Sequence, residues 1–255
     1  MGQKIIGMIP ARWASTRFPG KPLVDLCGKP MIQHVFERAR RADLLSEVWV
    51  VTDDERIFRA VESFGGKAVM TPSDLPSGTD RIARAARSTD ADIVVNIQGD
   101  EPMIEPDEVN LVAGILIDDP KAVMGTLVKK ITRLEELESP NTAKVILDEN
   151  RNAIYFSRSP VPFVRDREDR AEWFHAAVLY KHVGIYSYRK DFLLTYAGWP
   201  PSFLEKTEKL EQLRAIEKGV RIKTAETSFE PVCVDEPEDA ERVREILLSG
   251  SDSGV

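Results

Sequence analysis

Four cations crowd the start of this chain. Arg12, Arg17, Lys21 and Lys29 stand against Asp25 alone, in a protein of 255 residues with a formal net charge of −7. Three of them lie in Pro10-Ala11-Arg12-Trp13-Ala14-Ser15-Thr16-Arg17-Phe18-Pro19-Gly20-Lys21-Pro22. Arg offers a planar fork for phosphate oxygens, Lys a point charge, and Gly a close backbone approach. The loop therefore suits a multiply charged anion, and a solvated basic loop is the competing reading. It differs from the pattern G-x-x-x-x-G-K-[ST], because Lys21 is followed by Pro22 and the string holds one glycine.

Carboxylates supply the complement. Asp100 sits in Gln98-Gly99-Asp100-Glu101-Pro102, directly after the apolar run Ile93-Val94-Val95. In open α/β sheets ligands bind beyond the carboxyl ends of strands. A carboxylate there, facing a basic loop, suits a Mg²⁺ ion that takes one or two carboxylates plus phosphate oxygens; a plain turn cap is the alternative. Asp235, before Glu236-Pro237-Glu238-Asp239, could cap a last helix with Pro237 near its first position. The turn Ser77-Gly78-Thr79-Asp80-Arg81 offers hydroxyls and free N–H groups, with Thr79 or Asp80 as candidate cap. His182 and Tyr186 are four residues apart, which on a strand puts both on one face. A lone histidine is also common as a structural residue.

These groups need a scaffold, and the hydrophobic pattern describes one. Ile5 to Ile9 reads as a buried strand, and Pro30 opens a helix with Met31, Val35, Ala39 and Ala42 on one face. The connection between them far exceeds the usual length of about 2–6 residues. Its apolar residues and prolines argue for order. Val48–Thr52 and 67–70 are further strands around a helix bearing Ile57, Ala60, Val61 and Phe64. A central strand at 92–97, a helix from Pro106 and a strand at 123–131 follow. The alternation predicts an α/β fold: a Rossmann-like, mainly parallel sheet flanked by helices. Segments 143–147, 153–156 and 183–188 look like strands without long helices between them, which predicts an antiparallel extension over one edge or end. We expect a single domain over 1–255, with roughly 132–200 as an inserted lobe. The link 157–180 carries Arg165, Arg167, Phe163 and Trp173 and reads either as a lid or as a dimer arm. Residues 202–218 read as one amphipathic helix, capped by Ser202 and ended by Gly219, with Glu211 and Gln212 on its solvated face.

Composition narrows the class. Apolar content of 42% and charged content of 30% are ordinary for a globular protein, and the acidic balance argues against general nucleic-acid binding. No apolar run reaches the roughly 18 residues of a membrane span. Cys27 and Cys233 have no metal or redox spacing and read as reduced thiols in a cytoplasmic chain without a secretory signal, with a disulfide as the alternative.

The string from Pro10 to Leu23 resembles the signature loop of the sugar-acid cytidylyltransferases, nearest to the 3-deoxy-manno-octulosonate (Kdo) cytidylyltransferases. The likeness continues through Ser77-Gly78-Thr79, Asn96 to Pro102, Tyr155-Phe156-Ser157-Arg158, His182 to Tyr186, Leu210-Glu211-Gln212-Leu213-Arg214 and Asp235 to Asp239. It implies a fold of the nucleotide-diphospho-sugar transferase type, and joining of CTP to Kdo with release of pyrophosphate. The product, CMP-Kdo, serves lipopolysaccharide synthesis, and a homodimer in a bacterial cytoplasm is implied. By this likeness Ala11, Arg12, Ser15, Arg17, Lys21, Ser77, Gly78, Thr79 and Arg81 bind the nucleotide, with Arg12, Lys21 and Asp100 catalytic. Gln98, Arg158, His182, Tyr186, Glu211 and Gln212 bind the sugar acid, and Asp100 and Asp235 hold Mg²⁺, as two ions. Glu236 departs from the small hydroxyl residue frequent there in the family. A related sugar acid (8-amino-Kdo or sialic acid) or a non-catalytic nucleotide-binding homologue are the alternatives.

Overall fold

The structure, a computed structural model, describes residues 2–14 and 18–250. In chain order the elements are β1 (Ile5–Ala11), β2 (Asp25–Leu26), β3 (Lys29–Pro30), α1 (Met31–Ala39), β4 (Glu47–Thr52), α2 (Glu55–Ser63), β5 (Lys67–Met70), α3 (Gly78–Ala86) and β6 (Ile93–Asn96). There follow α4 (Pro106–Asp118), β7 (Met124–Lys130), α5 (Leu134–Glu138), β8 (Lys144–Leu147), β9 (Asn152–Ser157), α6 (Trp173–Ala176) and β10 (Tyr180–Arg189). The chain closes with α7 (Lys190–Ala197), α8 (Phe203–Glu208), α9 (Leu213–Glu217), β11 (Ile222–Glu226) and α10 (Pro237–Leu248).

Nine strands form one sheet in the order β5-β4-β1-β6-β10-β7-β11-β9-β8. β1 pairs in parallel with both β4 and β6, and β7 with β11. The alternation of side chains along β1 shows why it is central. Ile5, Ile9 and Ala11 join a core with α1, α2 and α4 on one face. Ile6 and Met8 join a second core with α3, α7 and α9 on the other. A strand apolar on both faces has to lie between two layers of helices.

Two expectations need correction. The segment 183–188 does not cover an edge: it belongs to β10, which runs antiparallel between β6 and β7 in the middle of the sheet. Val183 and Ile185 pack into one core, Tyr186 and Tyr188 against the other, so this strand needs cover on both faces. Only β9 and β8 lie at the far edge. The expected helix over 202–218 is broken into α8 and α9, because Lys209 adopts the left-handed conformation at φ 53°. The Arg158 side chain secures that corner, donating from Nε to Glu208 O at 2.7 Å and from Nη2 to Lys209 O at 3.3 Å. Beyond the break, the Tyr196 hydroxyl donates to Glu211 O at 2.7 Å.

Candidate active site

The loop after β1 is folded on itself by its own sequence. Gly20 N donates to Trp13 O at 3.0 Å, and Gly20 sits at φ 74° against the Trp13 ring. The Arg56 guanidinium covers that ring at 3.3 Å from its centre. A short 3₁₀ turn at Lys21–Leu23 follows and directs Lys21 inward. Lys21 Nζ donates to Asp100 Oδ2 at 2.8 Å and to Val234 O at 2.8 Å, and lies 3.4 Å from Asp235 Oδ1. Residues from three distant parts of the chain thus meet at one ammonium group.

Backbone contacts fix this meeting point. Gly99 passes over the end of β1 so closely that an added Cβ would lie 2.8 Å from Pro10 O. Val234 N donates to Asp100 O at 2.8 Å, which ties the last loop to the β6 loop. Asp239 Oδ2 accepts from Asp235 N and Glu236 N at 2.9 and 3.0 Å. Glu236, not Asp235, is therefore the cap of α10, which corrects the capping alternative and leaves the Asp235 carboxylate beside Lys21.

Two cavities adjoin here. One, of about 370 Å³, is lined by Ala11, Arg12, Lys21 and Gly99; the other, of about 500 Å³, by Asn96, Arg158, His182, Tyr186, Glu211 and Gln212. They share Pro10, Gly78, Gln98 and Asp100. Arg12 donates from Nη1 to Pro76 O at 3.1 Å, while its buried Nη2 has no partner among the described residues. Ser15 and Arg17 lie outside the described residues.

The α3 turn differs from the sequence reading. Ser77 is the cap: its Oγ accepts from Asp80 N at 3.0 Å and donates to Asp80 Oδ2 at 2.6 Å. Its hydroxyl is thereby occupied, whereas Gly78 and Thr79 line the second cavity. Arg81 is corrected too. Fully buried, it pairs with Asp53 at 2.7 Å and bonds to Thr71, and it lines neither cavity. A guanidinium without access to solvent supports the turn.

The floor of the second cavity comes from β6 and β10. Tyr186 pairs with Asn96, and β10 carries two extra residues between Val183 and Tyr186 relative to β7. This bulge is stitched by Thr126, whose Oγ donates to Ile185 O at 2.8 Å. Gln98 Nε2 donates to Gly184 O at 2.9 Å on the same irregular stretch. Thr126 has one hydroxyl proton, so its 2.9 Å contact with His182 Nε2 must be accepted from the ring. That assigns the proton to Nε2 and leaves Nδ1 as acceptor. Burial pushes His182 down to about 3, so the ring is neutral across ordinary pH. Burial also raises the Glu211 carboxyl, with Thr79 and Arg214 partly offsetting it.

Arg158 lines the cavity, but three of its nitrogens are engaged with carbonyls, the third being Pro140 O at 2.7 Å. Its evident role is to hold the Lys209 corner. Gln212 lines the cavity as expected, whereas Asn96 and Glu101 line it without having been singled out in the sequence. Asn96 Oδ1 and Gln212 Nε2 are buried without partners among the described residues, and an unpaired buried amide calls for a ligand. Asn96 ends β6, directly after its apolar run. Glu101 is fully enclosed, and burial beside Asp100 pushes it up to about 8. Its neighbour is the Cys233 thiol at 3.7 Å.

Among the described residues no cluster of three or more metal-ligating side chains occurs. Asp100 and Asp235 nevertheless converge on one cationic position, now taken by the Lys21 ammonium. Two hard carboxylates beside a phosphate-sized cavity fit Mg²⁺, which draws its other ligands from phosphate and water.

A cytidylyltransferase family profile matches residues 6–222. The 3-deoxy-manno-octulosonate cytidylyltransferase of Trichlorobacter lovleyi is 49% identical over 97% of this chain and 100% of its own length. That of Syntrophus aciditrophicus is 52% identical over 96% and 98%. The solved structure of a CMP:2-keto-3-deoxy-manno-octonic acid synthetase complexed with CTP superposes with a TM-score of 0.91 at 45% identity, covering 97% of this chain and 99% of the other.

Proposed function

This chain belongs to the 3-deoxy-manno-octulosonate cytidylyltransferase family of nucleotidyltransferases, and from that premise we propose that it transfers CMP from CTP to Kdo. The anomeric oxygen of the sugar acid bonds to the α-phosphorus, the bond to the β-phosphate breaks, and pyrophosphate leaves. The proton of the anomeric hydroxyl passes to solvent. The product, CMP-Kdo, would feed lipopolysaccharide synthesis.

One observation carries this reading: Asp100 borders both cavities, with the Lys21 ammonium 2.8 Å from it. A triphosphate along the basic loop and a sugar acid over β10 would meet beside Asp100. Transfer to phosphorus depends on alignment and charge neutralisation more than on covalent help. Arg12, through its unpartnered Nη2, and Lys21 would steady the triphosphate and the charge that develops on pyrophosphate. Asp100 and Asp235 would hold Mg²⁺, as two ions, which when bound neutralises phosphate charge and acidifies the attacking hydroxyl. No separate protein base is assigned. His182, neutral with Nδ1 as acceptor, would take a sugar hydroxyl proton in a hydrogen bond. Asn96, Gln98, Tyr186, Glu211 and Gln212 would surround the remaining hydroxyls. A cytoplasmic homodimer is part of the proposal.

The test is pyrophosphate release from CTP with Mg²⁺ and Kdo. ATP, GTP and UTP replace CTP in control arms; 8-amino-Kdo and sialic acid replace Kdo. Turnover with CTP and Kdo above all other pairs supports the proposal. Faster turnover of another acid reassigns the sugar, and CTP binding without release makes the chain a non-catalytic homologue.

A further inference from the structure

At the opposite end of the sheet lies a cavity of about 780 Å³, larger than either of the two at the active site. It opens between the loop before β7, the turn before β9, the end of α7 and the segment joining α9 to β11. The active site sits beyond the carboxyl ends of β1 and β6; this cavity sits at the amino ends of β7 and β11. No residue is shared between them.

Its chemistry is unlike its surroundings. Lys121, Lys218, Arg221 and Lys223 line it against one carboxylate, Asp119, in a protein of net charge −7. Lys223 donates to Asn150 O at 2.6 Å. Lys121 and Arg221 are exposed and make no ion pair among the described residues. The fourth cation, Lys218, hangs 6.0 Å from the centre of the Trp199 ring. The apolar wall is that ring together with Phe192, edge to face at 5.9 Å. Both rings also pack on buried Tyr196 at 5.8 Å. Arg214 Nη1 donates to Trp199 O at 3.2 Å. The wall is therefore held in place before any ligand arrives, while Lys121 and Arg221 beside it stay exposed. Flat apolar rings beside flexible cations match a planar ring that carries phosphate.

We propose that this cavity is a second binding site, for a nucleoside phosphate, with the base against Trp199 and Phe192 and the phosphates among Lys121, Lys218 and Arg221. A loose inorganic-anion cradle would use the cations without the rings.

Binding of ATP, CTP and pyrophosphate to the chain carrying Lys21→Ala, which weakens the front site, tests this by calorimetry and tryptophan fluorescence. The expected result is one nucleotide per chain, with quenching that Trp199→Phe abolishes. Lys218→Gln with Arg221→Gln, both at exposed positions, should weaken binding at least tenfold. Pyrophosphate should bind at least tenfold more weakly than either nucleotide. In the unaltered chain the same calorimetry should count two CTP per chain. A single CTP in the unaltered chain, nucleotide binding indifferent to the double substitution, or pyrophosphate binding as tightly as nucleotide overturns the proposal. Turnover at the front site is assayed separately, in a chain that keeps Lys21.

Discussion

At the scale of single residues, side chains with unmet electrostatic needs decide what the site can hold. Lys21, already bonded to Asp100, would exchange that partner for phosphate when the triphosphate binds. Lys21→Ala and Asp100→Asn should each lower turnover by about a hundredfold or more, the scale of a lost transition-state charge contact; pyrophosphate-release rates near the unaltered value would remove that residue from the site. His182 gives a second test. Its folded pKa of about 3 lies below the ordinary 6.5, so the unfolded chain takes up the proton first. The stability contributed by the neutral ring is present above 6.5 and is lost as pH falls toward about 3. NMR of the imidazole should show no titration between pH 8 and 5. A His182 midpoint near 6.5 would contradict the buried, Nε2-protonated assignment. The types and order of Arg12, Lys21, Asp100 and Asp235 were readable in the sequence, since charge and motif are local. Gln212 was carried by the family likeness, but the unpaired amide of Asn96 was not readable, because only the fold shows where its partner is missing.

At the scale of elements, irregular geometry does the positioning. The strand–helix alternation was legible up to β7, where periodicity and chain order agree. Beyond it the sequence reading placed β10 in an edge extension, because an antiparallel strand inserted between two same-direction strands leaves no mark in chain order. The clue was its two apolar faces, Val183 and Ile185 against Tyr186 and Tyr188. The broken 202–218 helix was hidden for another reason: Lys209 has ordinary helix propensity, and its left-handed turn depends on the distant Arg158. Backbone substitutions separate these cases. Lys209→Gly should keep or raise the unfolding midpoint, since glycine adopts that conformation without a Cβ cost. Gly99→Ala should cost about 1–3 kcal/mol in denaturant unfolding and most of the turnover, because its Cβ would press on Pro10 O at 2.8 Å. A tolerated Gly99→Ala would mean that the β1 and β6 loops are not held in the close register described.

At the scale of the whole molecule, the sheet keeps cavities of different chemistry at its opposite ends, and the last loop joins the front pair through contacts with Asp100, Glu101 and Lys21. Ligand binding should therefore stabilise the entire fold. With CTP and Mg²⁺ at a hundred times the dissociation constant, the gain is about 2.7 kcal/mol, read as a rise in melting temperature. Chelating the metal with EDTA should remove most of that rise, and a shift indifferent to EDTA would contradict carboxylate-held Mg²⁺. The central claim is that Asp100 and Asp235 act on one shared cationic position. The most direct measurement is a double-mutant cycle on pyrophosphate release with Asp100→Asn, Asp235→Asn and both together. Carboxylates that act on one shared cationic position should couple, so the double variant should be only a few-fold slower than the worse single variant. Losses that multiply, or a single variant that turns over at the unaltered rate, would contradict a shared site.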